Sequence, residues 1–305
     1  MAEVNASIIT IGDELLIGQT IDTNSAFIAG ELNGIGIWVK RKITVGDVKD
    51  DILSALREQA RDCRVIIITG GLGPTADDIT KPALCEYFNT MLIENAAALE
   101  NVTSIFSKLN RLVTEINRQQ ALVPECCDVL QNARGTAPGM WFEKDGVMYV
   151  SLPGVPHEMK GLLTASVIPR LKERLALDAV VHRTLLTAGE GESVIAGHLA
   201  DFENGLPPHI RLAYLPSYGM VRLRLTGRGA HAALLEQEVG VAFSHLQSLV
   251  EKWLVAAEDI TLQEAVRRKL KEHGKTLATA ESCTGGYIAS LVTGEAGASG
   301  VYKGS

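Results

Sequence analysis

The chain has 305 residues, 46% of them hydrophobic and 21% charged, with a formal net charge of −7. That length exceeds one ordinary domain, and the composition is that of packed globular protein. No apolar run reaches the ~18 residues of a membrane span, and Met1–Ser7 lacks a basic stretch followed by an apolar one. The expectation is therefore a cytoplasmic protein without a membrane partner.

The acidic balance argues against nucleic acid as a partner, because phosphate binding gathers Lys and Arg. An anionic ligand would have to rely on backbone N–H groups, helix N-termini or bound cations. The five cysteines lack the paired spacing of a zinc site and are expected as reduced thiols.

In chain order, Ser7–Ile11 is a short apolar run closed by Gly12, and it predicts a buried strand. Asp22–Asn24 caps a helix running to Leu32. Ile37–Ile43 predicts a second strand, and Asp50 or Asp51 starts a helix bearing Ile52, Ala55, Leu56 and Ala60. Val65–Thr69, nearly all β-branched, predicts a central strand, followed by a helix over 79–88. This alternation implies βαβ units and a parallel sheet covered on both faces. Residues 96–122 are expected to be helical, with Ile105, Leu109, Leu112 and Ile116 on one face. Val147–Leu152 predicts a further strand and 156–174 a helix, so the first domain is expected to span 1–172.

The texture then changes. Arg183–Ala188 predicts a strand. In Met220–Thr226, Val221, Leu223 and Leu225 alternate with Arg222 and Arg224. Residues 230–254 predict a helix, giving a small α+β domain over 177–255. From 259 a helix over 262–273 and a strand over 276–280 begin a third unit, 259–305.

The best site candidate is Gly70-Gly71-Leu-Gly73-Pro74-Thr75-Ala-Asp77-Asp78-Ile-Thr80, which follows a buried strand and precedes a helix, where open α/β sheets bind ligands. Glycines let a backbone approach a phosphate, and the helix start offers unpaired N–H donors. It is not a P-loop, because no Gly-Lys-Ser/Thr follows. It matches the dinucleotide fingerprint only loosely, with two carboxylates where a pyrophosphate would sit. Asp77 and Asp78 make sense there if a divalent cation bridges them to phosphate, the alternative being that one is a helix cap.

Gly12-Asp13-Glu14 and Asp47 also fall at strand ends, so three acidic strand-end positions share one edge of the sheet. Pro153-Gly154-Val-Pro156 closes a fourth strand end as a rigid turn. Asn117-Arg-Gln-Gln120 and Gly135-Thr-Ala-Pro-Gly139 carry no mechanism readable from residue type. Glu281-Ser282-Cys283-Thr284-Gly-Gly286 places a hydroxyl at a strand-to-helix turn. Ser282 needs a base to act as a nucleophile, Cys283 is its rival, and Thr284 as a plain cap is the structural alternative.

These motifs, in this order, resemble the CinA family of competence/damage-inducible proteins: Thr10-Ile-Gly12-Asp13-Glu14-Leu-Leu, Asp22-Thr-Asn24-Ser, Thr69 to Thr80, Asn117-Arg-Gln-Gln-Ala121, Gly135-Thr-Ala-Pro138 and Leu152-Pro153-Gly154-Val-Pro156. The resemblance spans essentially the whole chain. It implies a three-layer, mostly parallel α/β domain of molybdopterin-binding-like fold, a small KH-like α+β domain, and the start of a nicotinamide-nucleotide amidase domain.

For the first domain the resemblance implies hydrolysis of ADP-ribose to AMP and ribose 5-phosphate, with a divalent metal such as Mg²⁺, K⁺ as a further cation, and a homodimer. It matches Asp47 and Asp78 to aspartates of such sites and Gly70, Gly71 and Gly73 to the phosphate loop, while the strand-end reading adds Asp13 as a catalytic candidate and Asp13, Asp77 and Asp78 as candidate metal ligands. Ligand contacts fall to Gly12, Glu14, Asn24, Gly70, Gly71, Gly73, Pro74, Thr75, Thr80, Asn117, Pro153, Gly154 and Pro156. Ser282 matches the amidase serine. The family's Tyr-Ser-Asn segment and lysine would follow Ser305, so 259–305 is expected to lack amidase competence. Two further readings stand beside hydrolysis: a pterin or nucleotide site that binds only, and a non-enzymatic interaction protein in DNA uptake.

Overall fold

A computed structural model describes residues 4–75 and 78–305, which divide into two compact units, 1–178 and 179–305. In the first, β1 (Asn5–Ile11) runs into a short helix α1 (Asp13–Leu16), then α2 (Thr23–Gly34), β2 (Trp38–Val45), α3 (Lys49–Gln59), β3 (Val65–Thr69) and α4 (Thr80–Phe88). A small excursion follows: β4 (Leu92–Glu94), α5 (Ala96–Lys108), α6 (Glu115–Arg118) and β5 (Leu122–Pro124), with β4 and β5 paired antiparallel. Then come β6 (Asp128–Leu130), β7 (Gly139–Lys144), β8 (Val147–Leu152), α7 (Pro156–Leu162) and α8 (Ile168–Arg174).

The main sheet has the order β2-β1-β3-β8-β7-β6. Its first four strands are parallel, and β7 runs antiparallel between β8 and β6. Alternation splits the apolar strand residues between two cores. Ala6, Ile8, Val65, Ile67 and Val150 pack under α2, α7 and α8 with Ile28, Leu32 and Leu163. Ile9, Ile11, Ile66 and Ile68 pack on the other face against Ile52 and Leu56 of α3 and Leu84 of α4. The second core closes around stacked rings of Phe88 and Phe142, 4.3 Å between centroids, with the Tyr87 and Tyr149 hydroxyls 2.9 Å apart.

One expectation for this unit fails. Residues 96–122 are not one helix: α5 ends at Lys108, Asn110 adopts φ 53°, and Thr114 begins the new short helix α6 with a capping box. Leu109, Leu112 and Ile116 are consequently exposed rather than lining one apolar face. The helix expected over 156–174 forms despite Pro169: α7 passes through a wider π-type turn, Leu163–Val167, into α8, the widening lying just before the proline that cannot donate a backbone hydrogen bond.

In the second unit β9 (Ala179–Ala188), α9 (Glu192–Asn204), β10 (Ile210–Ser217), β11 (Met220–Gly229), α10 (Ala232–Leu249) and β12 (Leu254–Ala256) form an antiparallel sheet of order β10-β11-β9-β12. Val221, Leu223 and Leu225 face Ile195 and Leu199 of α9 and Leu235 and Val239 of α10, as their alternation predicts. The helix expected over 230–254 ends at Leu249; a 3₁₀ turn, Glu251–Trp253, follows, and Leu254 already belongs to β12. α11 (Leu262–Glu272) and α12 (Tyr287–Thr293) follow. The strand expected over 276–280 is reduced to a single bridge, Leu277 to Tyr302. Among the described residues no helix is long and apolar enough to cross a membrane, and all five cysteines are unpaired.

Candidate functional site

The carboxyl ends of the four parallel strands border one cavity of about 300 Å³. β1 leads to Gly12 and Glu14, β2 leads to Asp47, and β3 leads to Gly70, Gly71 and Asp78. β8 is followed by Gly154 and Pro156, and the start of α2 adds Asp22 and Asn24. Sequence reasoning treated Asp22 only as a cap, which it is: its Oδ1 accepts the Ser25 N–H at 2.8 Å. It missed Thr10, Thr20, Ile21 and Thr69 in the same wall.

Asp13 and Asp47 clasp each other. The Asp13 N–H donates to Asp47 Oδ2 at 3.1 Å, and the Asp47 N–H donates to Asp13 Oδ1 at 3.2 Å. The clasp ties the end of β1 to the end of β2. It leaves Asp47 in the cavity wall and Asp13 beside it, outside the lining.

The glycine loop is closed by a carboxylate. Asp78 Oδ1 accepts the Gly73 N–H at 2.7 Å, while Oδ2 accepts the Thr75 N–H at 2.9 Å and the Thr75 hydroxyl. A Cβ at Gly73 would stand 2.4 Å from Asp78 Oδ2, so the carboxylate would have to shift to admit one. The cap alternative for Asp78 falls, since no side chain caps α4 and the carboxylate folds back on its own loop. Pro74 and Thr75 build that fold rather than the cavity wall. Thr80, fully buried, donates its hydroxyl to the Gly70 carbonyl at 3.0 Å. Asp77 lies outside the described residues.

Asn24 joins three elements. Its Nδ2 donates to the Gly154 carbonyl at 2.7 Å and to Thr69 Oγ1 at 3.4 Å, and Thr69 Oγ1 donates to the Pro153 carbonyl at 2.9 Å. Pro153 thus serves through its backbone. Asn24 Oδ1 is buried without a partner.

Asn117 does not reach the cavity. Its Oδ1 accepts both the N–H and the hydroxyl of Thr114 in the capping box. The Gly135–Gly139 motif is a brace: Asn101 Nδ2 donates to the Asn132 and Gly135 carbonyls, and Asn132 Nδ2 to Ala137 O and the Glu158 carboxylate. Burial pushes the Glu158 carboxyl up. Ser282 lies in the second unit, exposed, in the turn before α12, and beside it Glu281 accepts the N–H groups of Ile288 and Ala289.

Residues 7–173 match a family described as a probable molybdopterin binding domain, 182–254 the damage-inducible protein CinA KH domain, and 259–305 the CinA C-terminal domain. A CinA-like protein of Cytophaga hutchinsonii is 48% identical over 302 residues, covering 99% of this chain and 72% of that one. The chain belongs to the CinA family. A CinA-like protein of Flavobacterium psychrophilum is also 48% identical, over 99% of this chain and 73% of its own length. The crystal structure of CinA from Thermoplasma acidophilum superposes with a TM-score of 0.50 at 36% identity, over 54% of this chain and 96% of that one.

One residue of this CinA-family chain went unnoticed in the sequence. Lys81, in the first turn of α4, is 7% exposed, and its Nζ donates to the Gln120 carbonyl at 2.9 Å. Burial drives its ammonium down to about 8, the Asp78 carboxylate partly opposing. The unfolded chain holds this proton up to the ordinary 10.5, so between these values the unfolded state binds more protons and stability rises with pH. Lys81→Met removes that dependence. Its stability advantage over wild type should shrink by about 3 kcal/mol between pH 8 and 10.5 in urea titrations, whereas parallel curves would mean that the ammonium is not buried.

The donor set fits a hard divalent cation. Glu14, Asp22, Asp47 and Asp78 are all oxygen ligands, and no Lys or Arg stands among the described lining residues. Among those residues no group of three or more acidic, histidine or cysteine side chains is close enough to hold a metal alone. Mg²⁺ as a rule takes one or two carboxylates and fills its remaining positions with water and substrate phosphate. Asp78 retains a lone pair beyond its three loop hydrogen bonds, since a carboxylate accepts about four.

Proposed function

We propose that the first unit is a cation-dependent hydrolase that splits ADP-ribose into AMP and ribose 5-phosphate. The observation that supports it is the charge of the cavity: four carboxylates facing a glycine loop, with no Lys or Arg among the described lining residues. A diphosphate adds further negative charge, which only a cation makes favourable there.

Asp78 and Asp47 would hold that cation, with K⁺ as a second ion. Mg²⁺, when bound, supplies polarisation of a phosphoryl oxygen and a more acidic water. The backbone at Gly70 and Gly71 lets the other phosphate approach. Asp22 and Asn24 offer acceptors to sugar hydroxyls. Glu14, in the cavity wall, takes the proton from the attacking water. The water oxygen bonds to one phosphorus, the bridging P–O bond breaks, and the bridging oxygen leaves on the other phosphate.

The test is chromatographic detection of AMP from ADP-ribose with Mg²⁺, with and without K⁺, and after EDTA. Release that requires the divalent cation is expected, and no release with any cation overturns the reading. A pterin site that binds without hydrolysis is the second reading. It is favoured by the unpaired Asn24 Oδ1, an acceptor suited to a ring amine. Tight pterin binding together with intact ADP-ribose would select it.

A further inference from the structure

The Asn117–Gln120 motif and Thr136 of the Gly135–Gly139 motif meet at Lys81. Lys81 Nζ donates to the Gln120 carbonyl at 2.9 Å, and the Thr136 hydroxyl donates to Gln120 Oε1 at 3.5 Å. Gln120 is itself 3% exposed. The strut therefore joins the first turn of α4 to the turn over Gln119–Ala121 that leads into β5.

Lys81 stands three residues after Asp78 in a short, rigid path. Thr80 between them is fixed twice: its hydroxyl donates to the Gly70 carbonyl, and its N–H to the Gly71 carbonyl at 3.3 Å. The Asp78 N–H is held by the Thr75 carbonyl at 3.0 Å. The helix start that Lys81 anchors is thus the stem from which the Asp78 loop springs.

A neutral side chain of similar size would fill this place without the cost of burying an ammonium. What an apolar residue cannot supply is the donor to the Gln120 carbonyl that ties the start of α4 to the turn over Gln119–Ala121. We propose that Lys81 is a positioning residue for Asp78, anchoring the base of the glycine loop on Gln120. The placing of Asp78 stands by itself, whereas the catalytic consequence rests on the hydrolase reading above.

Amide hydrogen exchange at Gly73 and Thr75, the two N–H groups held by Asp78, reads the loop without reference to activity. Lys81→Met and the shorter Lys81→Gln should each speed exchange at these amides by about tenfold, with Val65–Thr69 unchanged. In an Asp78→Asn background Lys81→Met should add nothing, because the anchor it serves is already broken. With ADP-ribose and Mg²⁺, Lys81→Met should lose about tenfold in kcat with a smaller change in KM.

Wild-type exchange at Gly73 and Thr75 in both variants overturns the proposal whatever the turnover. A uniform quickening through β3 and α4, or additive effects with Asp78→Asn, does the same. If the wild-type chain releases no AMP, the hydrolase reading fails, and the exchange result still decides the role of Lys81.

Discussion

Asp78→Asn is expected to cut AMP release from ADP-ribose by ~10²–10³-fold or more while the two cores stay folded. The change removes a charge from a cavity wall whose hard oxygen donors are what would hold a cation against phosphate. It also does more than neutralise. The carboxylate accepts the Gly73 N–H on one oxygen and the Thr75 N–H and hydroxyl on the other. An amide offers one oxygen and one NH₂, so whichever way the new side chain turns, at least one backbone N–H faces a donor. The loop should loosen locally, at a cost of about 1 kcal/mol in unfolding free energy. Strands β1 and β3, buried nearby, should keep their protection. Turnover, ADP-ribose binding with Mg²⁺ and a thermal melt measured on the same sample separate the effects. Wild-type turnover in the variant would sink the mechanism, and a collapsed melt would show that the carboxylate serves the fold first.

The parallel strands were legible because each is a short apolar run stopped by a turn residue, and burial on both faces leaves no other use for Val65–Thr69. The strand-end acids followed from the same reading, since parallel strands bring their carboxyl ends to one edge. What could not be read was how each acid is spent. Asp13 and Asp47 are far apart in sequence, and nothing in either residue foretells their reciprocal clasp.

Asn117 shows the opposite failure. It sits in a conspicuous polar motif, yet it is consumed three residues away by Thr114. A local capping box competes with any distant ligand for the same amide oxygen. Over 96–122 the apolar spacing was genuine, but Asn110 turned left-handed and the spacing lost its helix. Lys81 was invisible because a lysine on the first turn of a helix normally extends into solvent. Only the excursion between β4 and β5 brings the Gln120 carbonyl over it.

Gly70→Ala is expected to destabilise the first unit by about 3–5 kcal/mol. Gly70 has φ 111°, a conformation nearly closed to residues with a Cβ. The added atom would stand 2.1 Å from the Ile11 carbonyl oxygen. That oxygen belongs to backbone at the end of β1, next to a register in which Thr10 faces Thr69, so it cannot swing aside as a side chain could. On its other side Gly70 donates its N–H to the Leu152 carbonyl of β8 at 3.2 Å, so retreat from β1 breaks a second strand contact. Relief requires the carboxyl ends of β1 and β3 to part, which would also open the cavity wall they share. Gly18→Ala is the control: it too has positive φ, 74°, but nothing lies within 4 Å of the added atom, and only the backbone cost of about 1 kcal/mol applies. Denaturant unfolding of the first unit should therefore separate the two variants by at least about 2 kcal/mol. Equal losses would mean that the close approach at Ile11 carries no energy, and that the glycine is kept for its dihedral angle alone.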